Sequence, residues 1–229
     1  AKQSSKEIVE CIKKNISNNK ANKYFFNEDY NFVSMENDFF YYEDKYGSLK
    51  IPKPGMSGQF QLENASTAIA SLRVLENLKI RDEQIINGIK NAYNSARLEE
   101  IKSGKLKDLV KNNTLIIDSS HNPGGSKALN EYLQTLNCNK HIIVGMMENK
   151  DHEKFINYFK NISSLTVIDI PNQANAISGK KLKEKFKKFK NLNYVKNIEQ
   201  ALKSLQLEKS DIILITGSIY LAGEVLNLN

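Results

Sequence analysis

The sequence has no tryptophan, only two cysteines and only four prolines in 229 residues. Cys11 and Cys138 form no metal-ligand spacing and are too few for a disulfide framework, which leaves reduced structural thiols. No apolar run approaches the ~20 residues that a membrane-spanning helix needs. No charged-then-apolar leader opens the chain either. A membrane is therefore not an expected partner, and the cytoplasm is the expected location. Internal repeats and low-complexity tracts are absent, which excludes solenoids and disordered linkers.

Phosphate-cradling loops are missing as well. A Walker sequence needs a Gly five positions before Gly-Lys and a Ser or Thr after it. The Gly-Lys pairs at 104–105 and 179–180 have Glu99 and Ala174 at the first place, then Leu106 and Lys181 at the last. G-x-G-x-x-G does not occur, and neither does the G-x-S-x-G nucleophile elbow. The three histidines, His121, His141 and His152, have no Glu-x-x-His partner for zinc, so no metal is expected on this chain.

The formal charge of +7 raises the question of nucleic acid. The lysines, however, are spread along the whole chain. The densest run, "GKKLKEKFKKFK" (179–190), sets Leu182, Phe186 and Phe189 at helical spacing, as a solvated face on an amphipathic helix does. No arginine cluster interleaves with aromatics to stack bases. Nucleic acid is thus not an expected partner, and a general attraction for small anions is what the charge implies.

What is present divides near residue 96. Ser4 and Glu7 fit a capping box on a first helix carrying Ile8, Ile12 and Ile16. Strand-like pieces follow at 23–26, 38–43 and 48–51, punctuated by Gly47, Pro52, Pro54 and Gly55. One long helix is predicted from about Leu62 to Leu78, with Ala65, Ala68, Ile69, Leu72 and Leu75 on its core face. A shorter one carries Ile85, Ile86 and Ile89. These first 95 residues offer too few strands for an independent sheet of ordinary size and read as the back half of another domain.

From residue 96 the pattern becomes regular. Short β-branched runs at 115–118, 141–145, 165–170, 193–196 and 211–217 alternate with helical stretches near 124–136, 152–160, 179–190 and 198–206. Alternation of this kind predicts an α/β fold with a doubly wound, mostly parallel sheet over 96–229. Ligands of such sheets sit beyond the carboxyl ends of the strands. Asp118, His121, Asn122, Gly145, Lys150, Asp151 and Ser218 all fall there. Each alone could be an ordinary loop residue; polar groups on three separate strand ends point to a site.

Five ordered stretches resemble one family. "GQFQLENASTAIASL" (58–72) resembles the G-x-H-Q-x-x-N-A pattern of folylpolyglutamate and dihydrofolate synthases, and "ARLEEI" (96–101) their P-G-R-L-E segment. "IIDSSHNPGGSKAL" resembles their D-G-A-H-N-P loop, "VGMMENKD" their G-x-x-x-D-K-D turn, and "ITGSIYLAGEV" their T-G-S-L-Y-L-V-G-E-V ending. The resemblance is to the folate branch of the Mur ligase superfamily.

The resemblance implies residues 1–95 as the end of an ATPase (central) domain and 96–229 as the Rossmann-like, mostly parallel glutamate-ligase domain. It implies an ATP-dependent ligase that adds L-glutamate to a pteroate or folate through an acyl phosphate, working as a monomer. It further implies that the P-loop, the Mg²⁺ ligands, the pterin loops and a carbamylated lysine lie upstream of Ala1, so that this chain alone is inactive. Carried across by position, Asn64 would meet the adenine, Arg97 the nucleotide and Asp118 the ribose hydroxyls. His121 would stand near phosphate or glutamate, with Lys150 and Ser218 holding glutamate's carboxylates.

The chain departs from the pattern at Phe60 (His in the family), Ser95-Ala96 (Pro-Gly), Ser119-Ser120 (Gly-Ala) and Asn149 (Asp). Two other readings stay open: a Mur-type ligase for a different carboxylate, and a non-catalytic nucleotide-binding module.

Overall fold

The computed structural model describes residues 2–3, 5–18, 23–34, 38–75 and 77–229. Ser4, half of the predicted capping box, lies outside the described residues. The chain folds as two compact units, Ala1–Tyr93 and Asn94–Asn229.

The first unit holds α1 (Lys6–Asn18), strands β1 (Tyr30–Ser34), β2 (Phe39–Asp44) and β3 (Gly47–Pro52), then α2 (Phe60–Arg73) and α3 (Asp82–Lys90). The strands form an antiparallel sheet in the order β1-β2-β3. Their side chains alternate, so that Phe40, Tyr42, Leu49 and Ile51 turn inward. These meet Leu62, Ala65 and Ile69 of α2 and Ile85 and Ile89 of α3 in one core.

Two expectations fail here. Residues 23–26 are no strand; only Phe26 bridges to Tyr30, and β1 lies further on, a short run between the polar stretches at 27–29 and 36–38. The predicted long helix stops at Arg73, and Ala68 and Leu75 are exposed rather than core residues. The reason is anchorage: the partly buried Arg73 guanidinium bonds Asp44 Oδ1 at 3.0 Å and the Gly47 carbonyl at 3.1 Å, ending the helix against the β2–β3 turn.

The second unit is an α/β domain. Strands β4 (Glu99–Ile101), β5 (Thr114–Ile117), β6 (Lys140–Val144), β7 (Ser164–Ile168), β8 (Leu192–Val195) and β9 (Ile212–Thr216) alternate with helices. These are α4 (Lys105–Val110), α5 (Pro123–Gln134), α6 (His152–Asn157), α7 (Gly179–Lys185), α8 (Ile198–Ser204) and α9 (Ile219–Leu228). The sheet runs β4-β5-β9-β6-β7-β8, parallel throughout except for β4.

Both faces of the sheet are covered, which is why β6 and β9 are buried along their whole length. Leu115, Ile117, Ile143, Ile213 and Ile215 pack with Leu106 and Val110 of α4, Ala201 and Leu202 of α8, and Leu221 and Val225 of α9. The alternate residues Ile116, Ile142, Val144 and Leu214 are also buried and point to the other face. There α5, α6 and α7 pack in succession. The chain therefore leaves β5 and β6 toward one face and leaves β9, which lies between them, toward the other. That reversal opens a crevice at the carboxyl ends of the three strands.

Candidate functional site

Each strand that ends at this crevice is followed by a helix capped by a side chain. Asn122 Oδ1 accepts from the Gly125 N–H at 2.9 Å, with Pro123 at the first position of α5. Ser218 Oγ accepts from the Tyr220 N–H at 3.1 Å at the start of α9. Asp151 Oδ1 accepts from the Lys154 N–H at 3.2 Å at the start of α6. That bond, and then the one from the Lys154 side chain, hold the Asp151 carboxyl below its ordinary range.

The three connecting loops are tied to one another. The Ser120 carbonyl accepts from the Gly217 N–H at 2.9 Å and from Thr216 Oγ1 at 3.3 Å. The Gly145 N–H reaches the Thr216 carbonyl at 3.3 Å. Gly217 makes this possible: its φ is +106°, and a Cβ there would lie 2.7 Å from the Gly145 carbonyl oxygen. The 146–150 loop is held on its far side, where the Ile177 N–H donates to the Met146 carbonyl and the Glu148 N–H to the Asn175 carbonyl. His152 Nε2 donates to the Met147 carbonyl at 2.9 Å, so this buried histidine fixes the loop from below.

Between the loops lies a cleft of about 470 Å³, lined by His121, Met147, Glu148, Asn149, Lys150, Asn175, Ser218, Ile219 and Tyr220. His121 Nδ1 lies 3.0 Å from the Ser119 carbonyl. A carbonyl only accepts, so Nδ1 carries the hydrogen, and Nε2 of the neutral ring is left as an acceptor for a ligand. Lys150 is half-buried and has no ion-pair partner among the described residues. Ser218, 2% exposed, spends one lone pair on its cap and keeps its hydroxyl hydrogen to donate. The first turn of α9 adds the positive end of a ten-residue helix. An ammonium, a hydroxyl and a helix N-terminus facing one space suit an anion.

Of the residues singled out from the sequence, the structure brings His121, Lys150 and Ser218 into this cleft. Asp118 is placed differently. It is 1% exposed and is not part of the lining. Its Oδ2 accepts from the Leu98 N–H at 2.9 Å and its Oδ1 from the Ser120 N–H at 2.8 Å. The carboxylate thus joins the β5–α5 loop to the segment around Arg97.

That segment is strained. Ala96 and Leu98 have φ of +54° and +48°, each costing about 1–2 kcal/mol for a residue with a Cβ. Glu99 Oε2 takes the Ala96 N–H at 2.7 Å, and the Ala96 carbonyl takes the Ser119 N–H at 2.9 Å. Between the two left-handed residues Arg97 stands exposed, with no partner among the described residues. Asn64 belongs to the first unit, on the exposed side of α2, where its Nδ2 donates to Gln61 Oε1 at 3.0 Å.

Sequence reasoning missed Glu148, Asn175 and Tyr220 as lining residues. Tyr220 follows Ser218 in the quoted ending and was within reach. Asn175 arrives only through the pairing of Met147 with Ala176, which no local signal announces.

The family model described as "Mur ligase, glutamate ligase domain" matches residues 97–219. Among solved structures, the Yersinia pestis bifunctional folylpolyglutamate synthase/dihydrofolate synthase is similar over 95% of this chain and 50% of its own, at 20% identity and a TM-score of 0.78. The Mycobacterium tuberculosis folylpolyglutamate synthase, complexed with ADP and AMPPCP, covers 97% of this chain and 53% of its own, at 18% identity and a TM-score of 0.80. Escherichia coli FolC with ADP covers 94% and 50%, at 21% identity and a TM-score of 0.77. The likeness to these three is one of fold, and the chain spans about half their length. The sequence matches no curated protein.

Proposed function

This chain belongs to the Mur ligase family through its glutamate ligase domain, and on that premise we propose that it is part of an ATP-dependent ligase joining L-glutamate to dihydropteroate or a folylpolyglutamate. The observation that carries the reading is the convergence of His121, Lys150 and Ser218, from three separate strand ends, on one cleft. Relatives of the same fold support it: the Yersinia pestis enzyme is known with Mn, AMPPNP and L-glutamate bound, and Escherichia coli FolC with DHPP and ADP.

In this reaction the γ-phosphoryl group passes to the substrate carboxylate, the amine of glutamate attacks the acyl phosphate, and phosphate leaves as the amide forms. Both developing anions and glutamate's own carboxylates need positive partners held in place beforehand. Lys150 and the Ser218 hydroxyl serve the carboxylates. His121 Nε2 faces the reacting end, where it accepts a proton as the amine adds. Arg97 meets the nucleotide. Asp118 acts on the nucleotide through the Arg97 loop, and the ribose contact implied by the resemblance requires its carboxylate to be uncovered first.

No group of three or more His, Cys, Asp or Glu side chains among the described residues could hold a metal. On this reading Mg²⁺, which supplies charge neutralisation to the triphosphate, and the phosphate cradle both belong to protein beyond these 229 residues. The chain alone then neither hydrolyses ATP nor forms the amide.

A substrate panel on the full-length enzyme tests the reading. ADP release that depends on L-glutamate is expected with dihydropteroate or a reduced folate and absent with a nucleotide-linked muramoyl peptide. The reverse preference would replace the folate reading with a peptidoglycan-type ligase, and ADP release by this chain alone would contradict the division of labour.

A further inference from the structure

At the opposite, amino-terminal end of the same sheet, three side chains form a hydrogen-bonded line outside the proposed ligase site. Ser164 opens β7, His141 lies in β6, and Asp211 immediately precedes β9. His141 Nδ1 is 2.7 Å from Ser164 Oγ, and its Nε2 is 3.1 Å from Asp211 Oδ2. His141 is 6% and Asp211 2% exposed, whereas Ser164 is half-buried.

The proton positions follow from the acceptors. Burial opposes ionisation of Asp211, but the bonds it receives from the Glu208 N–H, from His141 and from the Asn139 side chain hold its carboxyl below the usual range. An ionised carboxylate can only accept, so Nε2 carries the imidazole hydrogen. Nδ1 of the neutral ring is then a bare acceptor, and Ser164 must donate its hydroxyl hydrogen to it. The serine oxygen is left with its lone pairs free and a base already bonded to its proton. A serine, a base and a carboxylate that fixes the tautomer are the parts of an activated nucleophile.

Ser164 also opens onto space. It lines a cavity of about 460 Å³ with Lys160, Lys188 and Lys190, and no Asp or Glu is part of that lining. None of the three lysines forms an ion pair among the described residues. A ligand entering there meets positive charge only.

We propose that Ser164 is a nucleophile activated by His141 and oriented by Asp211, and that it accepts acyl groups from activated esters carrying a negative charge. Oγ attacks the carbonyl carbon while its proton moves to His141 Nδ1. The bond to the leaving alcohol then breaks, and the alcohol takes that proton. Water reverses the sequence: it gives a proton to Nδ1, its oxygen adds to the acyl carbon, and Oγ leaves with the proton returned.

The test is acylation by mono-4-nitrophenyl glutarate, with neutral 4-nitrophenyl valerate beside it, the adduct mapped by peptide mass spectrometry on the wild-type chain. The expected adduct is on Ser164, forms about tenfold or more faster with the charged ester, and is lost in Ser164→Ala, which removes a single oxygen. Asp211→Asn is expected to slow labelling by roughly a hundredfold or more through the wrong tautomer, with circular dichroism unchanged. An unlabelled Ser164 in wild type, or equal ester hydrolysis by Ser164→Ala, overturns the proposal. Equal rates for the two esters overturn the assignment of charge preference to the lysines.

Discussion

Asp118→Asn is expected to lower the stability of the second unit by about 2–4 kcal/mol and to release the segment that carries Arg97. The native carboxylate uses both oxygens on backbone donors, the Leu98 and Ser120 N–H groups. Asparagine matches the shape but offers one acceptor; its NH₂ would face a second N–H, leaving a buried donor unpaired. The loss matters more here because Ala96 and Leu98 are held in left-handed conformations that residues with a Cβ rarely adopt. With one tie removed, the strain is relieved by letting the loop go. Urea unfolding of the chain should show the fall in midpoint, and hydrogen exchange at Leu98 should quicken. On the proposed function, the KM for ATP of the full-length enzyme should rise about tenfold or more as Arg97 loses its place. An unchanged midpoint would show that Asp118 does not secure this loop.

Gly217→Ala is expected to cost a similar amount, about 2–4 kcal/mol, for a steric reason. At φ +106° a side chain is strained wherever it points, and this one would meet the Gly145 carbonyl oxygen at 2.7 Å and Met146 and Val144 side-chain carbons at 3.0 Å. Relief requires the β9–α9 turn to move away from the β6–α6 loop, which is the boundary on which Ser218 and Lys150 are set. A melting temperature lower by about 10 °C is expected for a unit of this size, together with loss of the proposed ligase activity in the full-length enzyme. Gly223, with nothing within 4 Å of its missing Cβ, is the control: Gly223→Ala in the middle of α9 should raise stability by up to about 1 kcal/mol. Equal behaviour of the two variants would remove the steric argument.

Much of the second unit is legible because its strands are buried on both faces. Runs such as "LIID" and "DIILITG" can hardly be anything but interior strands, and the polar residues just after them had to lie at the sheet's carboxyl edge. The parallel sheet, and three of the residues that line the cleft, follow from that alone. What escapes is short or depends on distant partners. The strand at 99–101 has two glutamates in three residues, and α4 is six residues long. The helix at 219–228 is too apolar throughout to show a solvent face. Asp118 looked like a ligand because of where it sits in the chain; its burial depends on Leu98 folding back over it, which sequence does not reveal. In the first unit the periodicity overruns the helix because Leu75 continues an apolar period that the anchored Arg73 has already ended.

The resemblance by motif and the family model over residues 97–219 agree on the Mur ligase family, yet neither locates an amino-acid site. On the proposed reading Lys150 tests this most directly, through the KM for L-glutamate of the full-length enzyme carrying Lys150→Ala. A single charge-assisted bond to a carboxylate is worth about 1.5–3 kcal/mol. The KM should therefore rise roughly 10–100-fold, with kcat within about threefold of wild type. A KM for glutamate that does not move would mean that the cleft between His121, Lys150 and Ser218 is not where glutamate binds.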